Sequence, residues 1–294
     1  MIRGFAPNNL EELYSVLENM TEKSKIVAGG TDLGIHLKKM TITPDALLYL
    51  GNIQETREII ETKNFIEIGA CVTHTELEES NIVKKYLSAI SDAAKDVGSL
   101  QIRNNGTIGG NIANASPAAD LLPVLFLLDS LVVVANKNKE LKEIKIEDFI
   151  LGPGKIALNP DEAILKFKIP KKNNMYSAFL KLGSRKKLTI SRIGLSLKLM
   201  IEDGKINNVV FFIGAISLKP VKFEIPKEEI SKIQTISKFL EQENKERIFN
   251  KIYNIIFQIT PEKFDRNYKM WAAKAVVYDL FDILAIRLNN KDCK

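Results

Sequence analysis

The sequence predicts an α+β chain folded as two consecutive domains. Three observations carry this: short strand patterns alternate with helical ones over residues 1–170, the polar stretch Pro170-Lys171-Lys172-Asn173-Asn174 interrupts them, and long strand patterns followed by helical ones then fill 175–294. A chain of 294 residues, 45% of them hydrophobic, is long and apolar enough to give each domain its own core.

In chain order, Asn8 and Glu11 stand at capping-box spacing, and Leu10, Leu13, Val16, Leu17 and Met20 recur at helical period. A short strand at 25–28 runs into Gly29-Gly30-Thr31-Asp32, and 46–50 and 65–69 read as further strands. Helical periodicity covers 75–80 and 83–97. Residues 101–111 hold three glycines and three asparagines, which predicts an ordered loop with positive-φ turns from Asn105-Gly106 onward. Ser116 and Pro117 suit the cap and first turn of a helix reaching Leu128, which Pro123 either kinks or restarts. Strands follow at 131–134 and 163–169.

Beyond the linker, 175–182, 194–201 and 205–213 read as strands, and Asp203-Gly204 marks a hairpin between the last two. Helical patterns at 227–239, 245–257 and 268–288 back this antiparallel sheet. In the last of them Trp271, Val277, Leu280, Phe281 and Leu284 form a core-facing stripe.

Composition excludes several functions. The net charge of +6, from 42 basic and 36 acidic residues, is spread along the chain, and the basic clusters Lys171-Lys172 and Arg185-Lys186-Lys187 are too short for a nucleic-acid surface. Cys71 and Cys293 cannot build a disulfide framework or a four-cysteine cluster, so a reducing, cytoplasmic setting is expected. The start lacks a signal-peptide core, and the most apolar stretch, 121–135, is broken by Pro123 and Asp129, so no membrane span is expected.

Two histidines, His36 and His74, rule out a HExxH helix, and each reads as a surface or satisfied core residue. No nucleophile elbow, Walker loop or G-x-G-x-x-G fingerprint occurs, and Gly152-Pro153-Gly154-Lys155 lacks the spacing for one. What remains is a pair of glycine-rich loops, Ala28-Gly29-Gly30-Thr31-Asp32 and Thr107-Ile108-Gly109-Gly110-Asn111. They are either tight turns or anion nests whose successive N–H groups hold a pyrophosphate, with Thr31, Thr107 and Asn111 as side-chain donors. Asp120 is either a carboxylate at a helix start or an acceptor for ligand hydroxyls.

These two loops, in the contexts Ile26-Val27-Ala28-Gly29-Gly30-Thr31-Asp32-Leu33 and, from Gln101, Asn105-Gly106-Thr107-Ile108-Gly109-Gly110-Asn111 through to Ala119-Asp120, resemble the two FAD-binding motifs of the medium subunit of molybdenum hydroxylases. That family includes xanthine, nicotinate and aerobic carbon monoxide dehydrogenases. The similarity extends through Ile68-Gly69-Ala70, Asp148-Phe149, Gly152 to Lys155 and Ile169-Pro170. It implies a two-lobed FAD-binding domain over 1–170, of the type shared with vanillyl-alcohol oxidase and p-cresol methylhydroxylase. A smaller α+β domain typical of these flavoproteins follows over 175–294.

By the same resemblance Ile26, Val27, Ala28, Gly29, Gly30, Thr31, Asp32 and Leu33, with Thr107, Ile108, Gly109, Gly110 and Asn111, hold FAD chiefly at its diphosphate. Asp120, Ile164 and Lys181 match positions at its ribityl and isoalloxazine end. No residue of this chain is expected to act as catalytic acid or base or to bind a metal. The implied complex is a dimer of heterotrimers, with a molybdopterin-binding large subunit and a small subunit carrying 2Fe–2S clusters. Electrons would pass to the FAD and on to NAD or another acceptor. Two departures stand out: 265–269 is only a loose copy of the family's acidic stretch, and two cysteines cannot supply the extra cluster of the 4-hydroxybenzoyl-CoA-reducing branch. A self-contained flavin reductase or oxidase, or a nucleotide-holding assembly module, are the other readings.

Overall fold

The computed structural model describes residues 2–185, 188–260 and 265–291. Lys186, Lys187 and Cys293, which entered the reading of charge and cysteines, lie outside the described residues. The chain forms two compact units: Met1–Ile82, Val97–Ser116 and Asp129–Lys171 make the first, and Val83–Asp96, Pro117–Leu128 and Lys172–Lys294 the second. This differs from the expected division at 170, because two helical stretches of the N-terminal half pack with the C-terminal sheet.

The first unit opens with β1 (Arg3–Phe5), α1 (Leu10–Leu17), β2 (Lys25–Val27), α2 (Leu33–Lys38) and β3 (Ala46–Tyr49). The strands form a parallel sheet in the order β1-β3-β2, and Leu13 and Leu17 bury the inner stripe of α1 in the same core as Leu48. The cap of α1 is Asn9, whose Oδ1 accepts from the N–H of Glu12 at 2.9 Å, one residue later than the expected Asn8 and Glu11 pair.

Next come β4 (Ile59–Glu61), β5 (Phe65–Gly69), α3 (His74–Glu79), α4 (Asn81–Tyr86), α5 (Ser88–Lys95), α6 (Leu100–Arg103), α7 (Ile108–Ala113) and α8 (Leu121–Leu127). The single helix expected over 83–97 is broken at Leu87, whose φ of −133° and ψ of 44° are not helical. The loop expected at 101–111 is mostly two short helices, α6 capped by Ser99 and α7 capped by Thr107. Neither Gly106, Gly109 nor Gly110 has positive φ. The helix expected from Ser116 begins only at Leu121, so Pro123 lies in its first turn, where a missing N–H costs nothing and no kink is needed.

The chain continues through β6 (Leu131–Asn136), β7 (Leu141–Lys145), α9 (Ile146–Phe149), the hairpin β8 (Ile150–Gly152) and β9 (Lys155–Ile156), and β10 (Glu162–Pro170). An antiparallel sheet, β4-β5-β10-β6-β7, results. Alternation along β10 buries Phe167 and Ile169, while Lys166 and Lys168 reach Glu67 and Glu143 at 2.6 Å.

The second unit is built on β11 (Met175–Gly183), β12 (Ser191–Glu202), β13 (Lys205–Gly214) and β14 (Val221–Glu224), antiparallel in sequence order. Asp203 and Gly204 both have positive φ (48° and 71°), the geometry that a two-residue hairpin turn demands. The helical pattern at 227–239 resolves into two single turns, α10 (Lys227–Ile230) and α11 (Ile236–Phe239). The long helices α12 (Gln242–Ile259) and α13 (Arg266–Lys291) follow, with Phe239 and Phe281 stacked at 4.8 Å. Trp271 does not join the stripe of α13: it is 71% exposed, because the buried line runs through Met270, Ala273, Val277, Leu280, Phe281 and Leu284.

Every residue of α8 is buried, and the helix packs on β12 and β13. The Ser196 hydroxyl donates to the Pro123 carbonyl at 2.9 Å. An all-round apolar helix needs this coverage, which is why 117–128 belongs with the second unit. No helix of the described residues is long and apolar enough to cross a membrane.

Candidate functional site

The two glycine loops, about eighty residues apart in sequence, meet in the first unit. A Cβ on Gly29 would stand 1.8 Å from the Asn105 carbonyl oxygen, so only glycine lets these backbones touch. Gly30 has φ +67°, which turns the chain from β2 into α2. Among the described residues no acceptor takes the backbone N–H groups of Gly29, Gly30, Thr31 and Asp32. Four consecutive unpaired amides beside a positive-φ glycine form a concave donor surface that fits an anion.

The second loop plays a different part. The N–H groups of Ile108 and Gly109 donate to Val72 and Ala70 carbonyls at 3.0 and 2.9 Å, Gly110 donates to Thr107 Oγ1 at 3.0 Å, and Asn111 to the Thr107 carbonyl at 2.9 Å. These donors, which the sequence left open as a tight turn or a second anion nest, are used inside the chain. Gly109 is there for close approach, since a Cβ would lie 2.5 Å from the Ala70 carbonyl oxygen.

Between them lies a cavity of about 310 Å³. Ile26, Val27, Ala28, Gly29, Gly30, Thr31, Asp32 and Leu33 all line it, with Thr107, Gly110 and Asn111 from α7 and its cap. Gly109 and Ile164 instead line an adjoining apolar recess with Ile26, Ala28 and Leu158. A register shift in β10 between Ile164 and Lys166, with the Leu165 carbonyl accepting from Ala70 at 2.8 Å, positions Ile164 there. Ile108 is fully buried and lines neither space.

Among the described residues, two that line this cavity each carry an enclosed polar atom with no partner, Asn111 Oδ1 and His74 Nδ1. Such buried orphans are rare in finished interiors. His74, 2% exposed, is a core histidine as expected, but its Nδ1 is unsatisfied; burial, with the nearby Arg103 charge, pushes its pKa down to about 4. His36, in contrast, is exposed and lies 3.6 Å from Asp32. Sequence reasoning missed His74, Val97, Ile102 and Asn114 as cavity residues; the Thr73 and Glu76 capping box that starts α3 was the available signal for His74.

Asp120 and Lys181 lie in the second unit, paired with each other. Lys181 Nζ donates to Asp120 Oδ2 at 2.5 Å and to the Asp96 carbonyl at 2.8 Å, and the Ser191 hydroxyl donates to Asp120 Oδ1. Asp120 precedes α8 but makes no capping bond; its carboxylate turns to Lys181 instead. Both side chains are 8% exposed. Burial pushes the Asp120 carboxyl above the ordinary carboxylate range, while the Lys181 ammonium and the Ser191 hydroxyl pull it back. Among the described residues no group of three His, Cys, Asp or Glu side chains is placed to hold a metal ion.

Over residues 1–172 the sequence matches the family described as the FAD binding domain in molybdopterin dehydrogenase. It is 36% identical over 204 residues to the nicotinate dehydrogenase FAD-subunit of Eubacterium barkeri, covering 68% of this chain and 69% of that one. To the xanthine dehydrogenase FAD-binding subunit of Escherichia coli O157:H7 it is 29% identical over 203 residues, with 68% and 69% covered. In fold it is similar to a chain of the carbon monoxide dehydrogenase of Hydrogenophaga pseudoflava solved without the Mo-pyranopterin moiety. The TM-score there is 0.81 at 23% identity, over 97% of this chain and 98% of the other.

Proposed function

Because the chain belongs to the family of FAD-binding domains in molybdopterin dehydrogenases, we propose that it is the FAD-carrying electron-transfer subunit of a xanthine dehydrogenase-like molybdenum hydroxylase. The observation that carries this is the run of four unpaired amides, Gly29 to Asp32, in residues that wall a cavity also lined by Asn111 and His74. That donor set fits a dinucleotide: amides for the diphosphate, the Asn111 oxygen as acceptor for a ribose or ribityl hydroxyl, and an apolar recess at Ile164 beside them.

Bound flavin supplies reversible electron and hydride chemistry. This chain's residues hold and orient it. The Gly29–Asp32 amides donate to the diphosphate oxygens, and Gly30 keeps them in one concave arc. Ile164, Ile26 and Ala28 exclude water from the recess. Asp120, held in place by Lys181 and Ser191, is proposed with Lys181 to set the electrostatics felt by the isoalloxazine. Residues 1–170 are proposed as the two-lobed FAD domain and 175–294 as the C-terminal domain of these flavoproteins.

The proposed partners are a molybdopterin-binding large subunit, where substrate is oxidised, and a small subunit whose 2Fe–2S clusters deliver the electrons. NAD⁺ or another acceptor takes them onward, in a dimer of heterotrimers in the cytoplasm. The test is the absorption spectrum of the purified chain after incubation with FAD and gel filtration, before and after dithionite. Retained flavin absorption that bleaches, with no retention of FMN, is the expected result. A chain that retains no FAD, or one that turns over an organic substrate alone, refutes the proposal.

A further inference from the structure

His74, though buried in the core, has the chemistry of a ligand-binding residue. It is the first residue of α3, placed there by the Thr73 and Glu76 capping box, and its N–H bonds to the Gly106 carbonyl at 3.0 Å. The ring is 2% exposed, yet it lines the cavity walled by the Gly29–Asp32 amides. Nδ1 is enclosed with no partner. A buried lone pair left unpaired is tolerated better than a buried N–H, so the proton belongs on Nε2.

The ring is also held beside the first loop. A Cβ on Gly106 would lie 3.2 Å from His74 Cδ2 and 3.4 Å from Thr31 Oγ1, so the imidazole edge and the Thr31 hydroxyl face one another across Gly106. A Cβ there would also stand 2.9 Å from the Ile102 carbonyl oxygen, so glycine is what lets the chain pass at this point. The charged neighbours of the ring are Arg103 on α6 and, paired with it at 3.4 Å, Glu78 on α3; the Arg103 charge opposes an imidazolium.

We propose that His74 is a diphosphate-binding residue, its Nε2–H donating to a phosphate oxygen beside the Gly29–Asp32 amides and the Thr31 hydroxyl. This rests on the FAD reading and deepens it by adding a side-chain donor to a backbone nest. A hydrogen bond to a charged group makes the expected loss on removal about tenfold to a hundredfold in affinity.

The experiment titrates FAD into the full chain by flavin fluorescence, comparing wild type with His74→Phe, which keeps a ring without a donor, and His74→Gln, whose amide N–H₂ stands near the position of Nε2. Phe is expected to weaken FAD and ADP at least tenfold but leave adenosine unchanged, and Gln to restore most of the loss; circular dichroism checks that both variants fold. FAD affinity of the wild type is expected to stay flat from pH 8 to 5.5, because a neutral donor does not titrate there. Phe binding FAD as tightly as wild type, Gln as weak as Phe, adenosine weakened equally, or affinity rising tenfold on acidification would each overturn the proposal. A wild type that binds FAD while the variants match it refutes this inference alone; a wild type that binds neither FAD nor ADP refutes the reading beneath it.

Discussion

Replacing Gly29 by alanine should separate the two loops and empty the site. The new Cβ would stand 1.8 Å from the Asn105 carbonyl oxygen and 2.6 Å from its carbon, and both neighbours are backbone, so no rotamer change relieves the clash. To reach the 3.4 Å of ordinary contact the loops must part by roughly 1.6 Å. An amide drawn back by that much from a phosphate oxygen is about 4.5 Å away and no longer a donor to it. Losing two charge-assisted bonds at roughly 1.5 kcal/mol each costs about 3 kcal/mol, or about a hundredfold in FAD affinity.

Two further glycines calibrate the argument. Gly30→Ala meets nothing closer than Val27 Cγ1 at 3.8 Å but must adopt φ +67°, so it should lose about 1–2 kcal/mol of stability. Gly34→Ala, in open space on α2, should gain about 0.5–1 kcal/mol. Flavin fluorescence titration and urea midpoints on the three variants give the ranking. Gly29→Ala binding FAD within threefold of wild type, or Gly34→Ala proving as harmful as Gly29→Ala, would refute the close-approach reasoning.

Other expectations follow from the buried ionisable groups. Unfolded chain takes up a proton at His74 below pH 6.5 that the folded state refuses until about pH 4, so stability falls across that window by up to roughly 3 kcal/mol. His74→Gln should lack this acid loss when urea midpoints are compared at pH 7 and 4.5. Lys181→Met leaves the Asp120 carboxylate buried without its cation and should cost about 3 kcal/mol at pH 7. Burial raises the Asp120 pKa, so the folded variant gains its proton first, and the deficit should shrink as pH falls toward 4; a pH-independent deficit would count against it. Arg287→Ala removes a donor shared by Asp92 at 2.6 Å and the Ser177 carbonyl, and should lower the thermal midpoint by an amount equivalent to about 1–2 kcal/mol.

Much of the local structure was legible because it depends on near neighbours in the chain. The periodicities at 10–17, 65–69 and 163–169 and the Asp203-Gly204 turn all became the elements expected of them. Errors clustered where packing overrides pattern. Trp271 looked like core until the buried line of α13 passed it by, and 101–111 looked like loop because glycine and asparagine disfavour helix in isolation. There the glycines serve contact, not turn geometry.

By itself the sequence determined that two glycine-rich loops, two histidines and two cysteines were the chemistry available, and the motifs around the loops carried the family. Only the tertiary structure decided which loop offers donors. Whether an amide is free depends on which carbonyl reaches it, and Ala70 and Val72, remote in sequence, take those of Gly109 and Ile108, while among the described residues nothing takes those of Gly29 to Asp32. The same holds for His74, an ordinary histidine in one dimension, whose burial and missing partner are properties of what folds around it.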